Sequence, residues 1–159
     1  DLLSPRRAVG LTGLSAGEAI VGGFSQGGGQ AFGLLLAAGI QHRPAAAFGI
    51  CSFPPAFGGF LVDPVAAAGR RCFLASAIHD RFAPIEGSRA GACRLRDAGL
   101  DLTYAEMDTP HQMTDSAADL AGRWISCVAS DRDVTGFADV LAEVGAGSGF
   151  YDGLWVTTP

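Results

Sequence analysis

The stretch that decides the fold runs from Ala19 to Gly29 and reads Ala-Ile-Val-Gly-Gly-Phe-Ser-Gln-Gly-Gly-Gly. It begins with a short apolar run bounded by glycines, and helical spacing of apolar residues follows over residues 30–38. An apolar run that passes through glycines directly into a helical pattern is typical of a βα unit in a parallel sheet. We therefore predict a buried strand, a sharp turn and a helix, in that order.

Three later segments continue this alternation of strand and helix. Residues 45–51 and 72–78 are short apolar runs, which is typical of strands buried on both faces of a parallel sheet. Residues 100–105 alternate between apolar and polar, which predicts a strand with one face nearer solvent, at the edge of the sheet. The order predicts an α/β fold with a mostly parallel sheet of about four strands and helices on both faces. Further helices are predicted over residues 1–14, 86–98 and 116–129.

The composition is that of one folded domain with an excess of acidic residues. A length of 159 residues, 48 % of them hydrophobic and 17 % charged, is enough for a packed core. The net charge of −5 disfavours nucleic acid and anionic membrane surfaces as partners. The longest apolar run, residues 31–40, is shorter than the roughly 20 residues that span a membrane. We assign residues 1–129 to the domain; residues 130–159, with helical spacing from 134 to 144, have no assigned role.

The cysteines are spaced too widely for a zinc-ligand pattern or a redox pair. Cys51, Cys72, Cys93 and Cys127 are therefore expected to be small buried hydrophobic side chains in a reducing compartment. The chain begins at Asp1 without the pattern of a secretory signal, and we expect a cytoplasmic location. Neither a metal nor a cofactor is expected.

A Gly-x-Ser-x-Gly motif made of Gly23, Ser25 and Gly27 lies between the first predicted strand and its helix, as a nucleophile elbow does. We expect glycine at both flanking positions because a Cβ there would collide with the adjacent strand or helix. The Gln26 backbone N–H, at the helix start, is the candidate donor to negative charge beside Ser25. A chance match is one alternative, since the chain has 23 glycines. A phosphate-binding turn is disfavoured because both glycine-rich nucleotide motifs are missing.

A serine nucleophile needs a histidine as base and a carboxylate that orients this base. His111 follows every strand predicted up to that point, where a base closes over the carboxyl ends of the sheet, whereas His42 is expected on the surface and His79 at the rim of the site. Asp80 closely follows the third predicted strand, which gives the chain order Ser, Asp, His. Asp108, just before His111, is the competing acid.

Three blocks of the sequence carry a family resemblance: residues 23–28 (Gly-Phe-Ser-Gln-Gly-Gly), 77–84 (Ala-Ile-His-Asp-Arg-Phe-Ala-Pro) and 105–111 (Ala-Glu-Met-Asp-Thr-Pro-His). They resemble the catalytic blocks of the phospholipase/carboxylesterase family of α/β-hydrolases, which includes acyl-protein thioesterases. The resemblance implies a serine hydrolase of carboxylic esters or thioesters. It also implies that Ser25 is the nucleophile, Asp80 the orienting acid and His111 the base.

The loop after the second predicted strand is rich in Phe and Pro. Phe53 and Phe57 in this loop are candidates for the lining of an apolar acyl or alcohol pocket, and the alternative is that they cap the core. The expected partner is a small-molecule ester or thioester.

The chain departs from the family pattern before its first predicted strand. Family members usually begin with several strands, and the loop after one of them supplies the other oxyanion donor. Residues 1–129 thus resemble the C-terminal half of an α/β-hydrolase domain, with the elbow strand at the sheet edge. Three alternatives stay open: the chain is a fragment, two copies dimerise through this edge, or the segment 150–158 adds a strand. An inactive half-domain that serves as a binding or assembly module is the alternative function.

Overall fold

The computed structural model describes residues 16–53, 63, 65, 68–132, 150–151 and 154–157, which contain a single sheet with helices on both faces. The strands are β1 (Ile20–Phe24), β2 (Ala46–Ile50), β3 (Arg71–Ala77), β4 (Asp101–Met107), β5 (Phe150–Tyr151) and β6 (Leu154–Thr157). Their order is β1-β2-β3-β4-β6-β5. The first four strands are parallel, and β6 is antiparallel to both of its neighbours.

In the described residues, three α-helices connect or follow the parallel strands: α1 (Gln26–Leu36), α2 (Ile85–Asp97) and α3 (Asp115–Ala129). A short 3₁₀ turn, Ala16–Glu18, precedes β1. Charge complements the dipole of α2, since Glu86 lies in its first turn and Arg94 and Arg96 lie in its last. At the start of α3 the Thr114 hydroxyl accepts a hydrogen bond from the Ala117 N–H at 3.1 Å, which caps the helix.

The helices cover both faces of the sheet with apolar side chains. On one face, Phe32 and Leu35 of α1 and Leu95 of α2 belong to the same buried cluster as Leu74 and Leu102 of the sheet. On the other face, α3 packs its apolar side on the sheet. Trp124 is completely buried there, with its ring 5.8 Å from that of Phe73. The carboxyl ends of the parallel strands are therefore held by a core on each side.

The predicted α/β architecture is confirmed, with four parallel strands and helices on both faces. The strands and helices predicted from residue 45 onward are found within about two residues of their predicted ends. The first helix begins at Gln26, directly after the elbow. The predicted helix in residues 1–14 and the helical spacing at 134–144 lie outside the described residues.

The prediction of a solvent-facing edge strand at residues 100–105 is wrong. The strand is β4, which lies between β3 and β6 and is buried along most of its length. The face with Asp101, Thr103 and Ala105 is covered because Ala105 packs in the same buried cluster as Trp124 of α3, and Thr103 is 1 % exposed. On the opposite face, Tyr104 and Glu106 have polar partners. Arg89 of α2 donates to both carboxylate oxygens of Glu106 at 2.7 and 2.8 Å, and the Tyr104 hydroxyl donates to Glu106 at 2.9 Å.

The two edges of the sheet differ. At one edge, β6 and β5 from the tail extend the sheet beyond β4, so the tail does add strands, though on the side away from the elbow strand. At the other edge, β1 pairs with β2, and no residue in the described part of the chain pairs with its outer side. The expectation that the elbow strand forms an edge is thus confirmed for the described residues.

The cysteines are all free, as expected, and three of them are buried. Cys93 is exposed, which corrects the prediction for this position. Its neighbour Ala92 faces the core, and the next residue of a helix points about 100° away from it. Among the helices that the structure describes, none has both the length and the apolar character needed to cross a membrane.

Candidate active site

Polar side chains gather at the carboxyl ends of the parallel strands. Ser25 directly follows β1, and Cys51 directly follows β2. Asp80 lies in the loop after β3, and His111 lies in the loop after β4. Open α/β sheets build their sites at this edge because the strands are parallel and their following loops share one side.

Ser25 forms a sharp turn between strand and helix. Its φ of 53° and ψ of −121° lie outside the common conformations of an L-residue, and such a conformation costs about 1–3 kcal/mol. Two backbone hydrogen bonds hold it: the Ser25 N–H donates to the Ile50 carbonyl at 2.8 Å, and the Ser25 carbonyl accepts from the Gly29 N–H at 3.3 Å. These bonds hold the single turn residue that separates β1, which ends at Phe24, from α1, which begins at Gln26.

The glycines around Ser25 are not equally constrained. A Cβ on Gly23 would lie 3.1 Å from the Gly27 carbonyl carbon, so the predicted crowding at this position is observed. A Cβ on Gly27 would meet nothing within 4 Å, and the predicted collision there is wrong because this residue faces away from the strand. Gly28 is the crowded helix position, since a Cβ there would lie 2.7 Å from both the Gly49 Cα and the Ser52 Oγ. The close approach of α1 to β2 thus depends on Gly28.

Asp80 is a buried carboxylate with partners for both oxygens. Its Oδ1 accepts hydrogen bonds from the Phe82 and Ala83 N–H groups, each at 2.8 Å. Its Oδ2 lies 2.6 Å from His111 Nδ1, and the Asp80 side chain is fully shielded from solvent. Because Oδ1 is held by the loop backbone, Oδ2 is aimed at the imidazole.

His111 is held between two aromatic rings and the Asp80 carboxylate. Its ring centroid lies 4.8 Å from that of Phe24, the residue before Ser25, and 5.1 Å from that of Phe82. The side chain is 16 % exposed. Backbone hydrogen bonds join the two loops: the Ile78 N–H donates to Met107 at 2.8 Å. This arrangement fixes the imidazole beside the elbow.

The surface position predicted for His42 is confirmed, while the position of His79 at the rim of the site stays a prediction. His42 is exposed. His79 is 64 % exposed, and its Nε2 lies 2.8 Å from Asp108 Oδ1. Asp108, the competing acid, is thus paired with His79, while Asp80 is paired with His111.

The candidate substrate-binding residues are only partly described. Phe53 is half-buried after β2, and its carbonyl oxygen would lie 3.4 Å from a Cβ on Gly29, which places its backbone beside the first turn of α1. Phe57 lies outside the described residues. Gln26 is the first residue of α1, where a backbone N–H has no partner within the helix.

The sequence pattern predicts Cys51 as a small buried side chain. It is buried, and it also lies at the site beside Asp80 and His111. Its backbone has a φ of 47°, and its Sγ donates to the Gln112 carbonyl at 3.3 Å. Burial, together with the nearby Asp80 charge, raises the pKa of the Cys51 thiol to about 11. The sulfur, an oxygen of Asp80 and a nitrogen of His111 all lie within 4.8 Å of one another. The position of Cys51 directly after a buried strand was the signal that could have identified it.

Comparison with solved structures identifies proteins of the same fold. A carboxylesterase from Bacillus cereus superposes with a TM-score of 0.67 at 19 % identity, over 78 % of this chain and 56 % of that one. A carboxylesterase from Mesorhizobium loti gives 0.61 at 21 % identity, over 77 % and 56 %. A single-substitution variant of SOBER1 from Arabidopsis thaliana gives 0.59 at 16 % identity, over 78 % and 59 %.

These likenesses show a partial α/β-hydrolase fold. The chain spans somewhat more than half the length of each of these structures. No protein-family profile matches the sequence. The comparison with curated proteins also finds no significant match.

Proposed function

We propose that the chain is the C-terminal half of a serine hydrolase domain that cleaves carboxylic esters or thioesters. In this proposal Ser25 is the nucleophile, His111 is the general base and Asp80 is the orienting acid. The observation that carries it is the 2.6 Å contact between His111 Nδ1 and the buried Asp80 carboxylate. The His111 ring lies 4.8 Å from that of Phe24, the residue before the strained turn at Ser25. Carboxylesterases with the same fold support the choice of ester substrates.

The proposed reaction follows from how the imidazole is held. The His111 Nδ1–H donates to Asp80, which leaves Nε2 with the lone pair that accepts the Ser25 hydroxyl proton. The serine oxygen then bonds to the acyl carbon, and the imidazolium returns the proton to the departing alcohol or thiol. A water molecule, deprotonated by the same nitrogen, then bonds to the acyl carbon; the bond to the Ser25 oxygen breaks, and the imidazolium returns the proton to that oxygen as the acid leaves. Asp80 stabilises the imidazolium throughout.

The charge that develops on the acyl oxygen needs donors already in place. We assign the Gln26 backbone N–H to this role, because it lies at the N-terminus of α1 next to Ser25. A site that lacks one oxyanion donor turns over on the order of 10²–10³-fold more slowly. Each oxyanion donor, Gln26 included, is therefore expected to contribute a factor of this order to turnover.

Apolar side chains at the rim support a substrate with an apolar acyl or alcohol group. Phe82, whose ring contacts His111, is 70 % exposed, and Met113, two positions further along the chain than His111, is 48 % exposed. Phe53 is half-buried at the same edge of the sheet. Exposed large apolar side chains beside a polar site are typical of a substrate-binding surface. Phe57, which lies outside the described residues, stays a proposed substrate-binding residue on the basis of the sequence.

The experiment is covalent labelling of the whole chain with a fluorophosphonate, together with hydrolysis of short p-nitrophenyl esters. We expect labelling that disappears in Ser25→Ala and persists in the control Ser130→Ala, which changes an exposed serine after α3. Absence of labelling in a chain that is folded by circular dichroism would contradict the proposal.

The second candidate function is an inactive half-domain that acts as a binding or assembly module. The observation that favours it is the edge of β1, where no pairing is seen in the described residues. Such an edge offers N–H and C=O groups to another strand. A homodimer through β1, measured by light scattering, together with absence of labelling, would support this function over the enzyme.

A further inference from the structure

Cys51 is a nucleophilic side chain at the site that the proposed reaction does not use. The residue is 1 % exposed, so a substrate cannot reach its sulfur. Its backbone N–H donates to the Ala75 carbonyl at 2.7 Å, and its side-chain Sγ donates to the Gln112 carbonyl at 3.3 Å. The sulfur lies beside the pair formed by Asp80 and His111, within 4.8 Å of a donor atom of each.

These side chains together make a set of donors suited to a thiophilic cation. A thiolate, an imidazole and a carboxylate are the ligands that zinc takes in proteins, and a site with three protein ligands leaves one position open. Their donor atoms lie within 4.8 Å of one another. Tetrahedral zinc needs its donors roughly 3.3–3.6 Å apart, so movements of about 1 Å suffice. Rotation about the Cys51 and His111 side-chain bonds supplies movements of this size.

The charges of the ligands match that of a divalent cation. One thiolate and one carboxylate neutralise a divalent cation, and a neutral complex avoids the cost of an unpaired charge in the interior. The entry path is the partly exposed side of His111, since the Asp80 side chain is fully shielded.

We propose that Cys51, Asp80 and His111 bind a thiophilic divalent cation such as Zn²⁺, and that this binding blocks the hydrolase. The inhibition rests on the proposed function, whereas the cation site itself does not. On binding, the Cys51 thiol releases its proton to solvent and its sulfur bonds to the metal. His111 bonds through Nδ1, the nitrogen beside Asp80; the proton on Nδ1 leaves to solvent and Nε2 takes one up, so that the neutral ring carries its single proton on Nε2. Because Nε2 is the nitrogen that must accept the Ser25 proton, the loaded site has no base.

The direct test is a titration of the whole chain with Cd²⁺, followed by the thiolate-to-metal charge-transfer absorption in the ultraviolet. All variants carry Cys93→Ser, which removes the exposed thiol. We expect a saturable absorption band that is lost in Cys51→Ala and in Cys51→Ser, the second of which keeps a donor for the Gln112 carbonyl. Asp80→Asn should weaken binding by at least the roughly 10–100-fold that loss of an outer partner causes. A band that persists without Cys51, or no band in the folded Cys93→Ser chain, would overturn the site.

Inhibition is tested by fluorophosphonate labelling with and without Zn²⁺. Zinc should suppress labelling in the Cys93→Ser chain, a chelator should restore it, and labelling of the Cys51→Ser variant should not respond to zinc. If the chain binds Cd²⁺ through Cys51 but never reacts with the probe, the proposed cation site is supported and the proposed hydrolase function is contradicted. If the chain reacts with the probe but forms no cadmium–thiolate band, the hydrolase function is supported and the cation site is contradicted.

Discussion

The carboxylate of Asp108 pairs with His79, 2.8 Å from its Nε2, and is not directed at His111, which lies closer along the chain. Both partners of this pair are exposed, with 64 % of the His79 side chain and 59 % of the Asp108 side chain accessible. Asp80 instead has a fully shielded side chain and lies against His111 Nδ1. The two pairs have the same chemistry in different surroundings, and a carboxylate shielded from water holds an imidazole more strongly than an exposed one.

Two matched acid variants should therefore behave differently. Asp80→Asn presents an amide N–H to Nδ1 and forces the proton of His111 onto Nε2, so ester turnover should fall on the order of 10⁴-fold. Asp108→Asn should leave turnover close to that of the unaltered chain. The measurement is p-nitrophenyl ester hydrolysis under the same conditions for both. If turnover falls in Asp108→Asn but not in Asp80→Asn, the orienting acid is Asp108 and the proposed role of Asp80 is wrong.

The strained backbone of Ser25 should be visible in stability. Ser25→Gly removes the Cβ that makes a φ of 53° unfavourable, whereas Ser25→Ala keeps it. We expect the free energy of unfolding of the glycine variant to exceed that of the alanine variant by about 1 kcal/mol, after allowance for the flexibility of glycine in the unfolded chain. Urea denaturation of the two variants measures the difference. A less stable glycine variant would mean that the turn stores no strain.

Gly27 and Gly28 form a second matched pair. Gly28→Ala places a Cβ 2.7 Å from the Gly49 Cα and 2.8 Å from the Gly23 carbonyl oxygen, and such overpacking costs about 1–3 kcal/mol of stability. Gly27→Ala meets open space within α1 and should gain about 0.5–1 kcal/mol from helix propensity. Thermal or urea unfolding distinguishes the two. Equal effects would be inconsistent with a close contact between α1 and β2.

Thiol reactivity should separate Cys93 from the other cysteines. Burial raises the pKa of the Cys51 thiol to about 11 and raises that of Cys72 still further above its usual value. Both thiols are therefore protonated and shielded at about pH 8, and the thiolate is the reactive form. A disulfide reagent should label Cys93 quickly and the buried cysteines only as the chain opens. The fast phase should vanish in Cys93→Ser; if it stayed, a buried thiol would be accessible in the native state.

The order of strands and helices could be predicted from the sequence because it depends on neighbouring residues. The glycine-bounded apolar run before Ser25, and the acids and arginines at the two ends of α2, are local signals. Parallel strands also end at one edge, so the sequence could predict that loops with Ser25, Asp80 and His111 share a side of the sheet. The prediction for β4 failed because α3 packs on the face that carries Thr103 and Ala105, and alternation along a strand does not reveal what packs on it.

The strand-turn-helix at Ser25 and the kinds of side chain at the edge of the sheet follow from local residues, since they depend on steric and hydrophobic patterns within a few positions. The folded chain is needed to show that Asp80 and not Asp108 contacts His111, that Cys51 lies within 4.8 Å of both, and that the tail pairs with β4. Those contacts join residues far apart along the chain, and their distances follow from strand register and helix packing, which no short segment encodes.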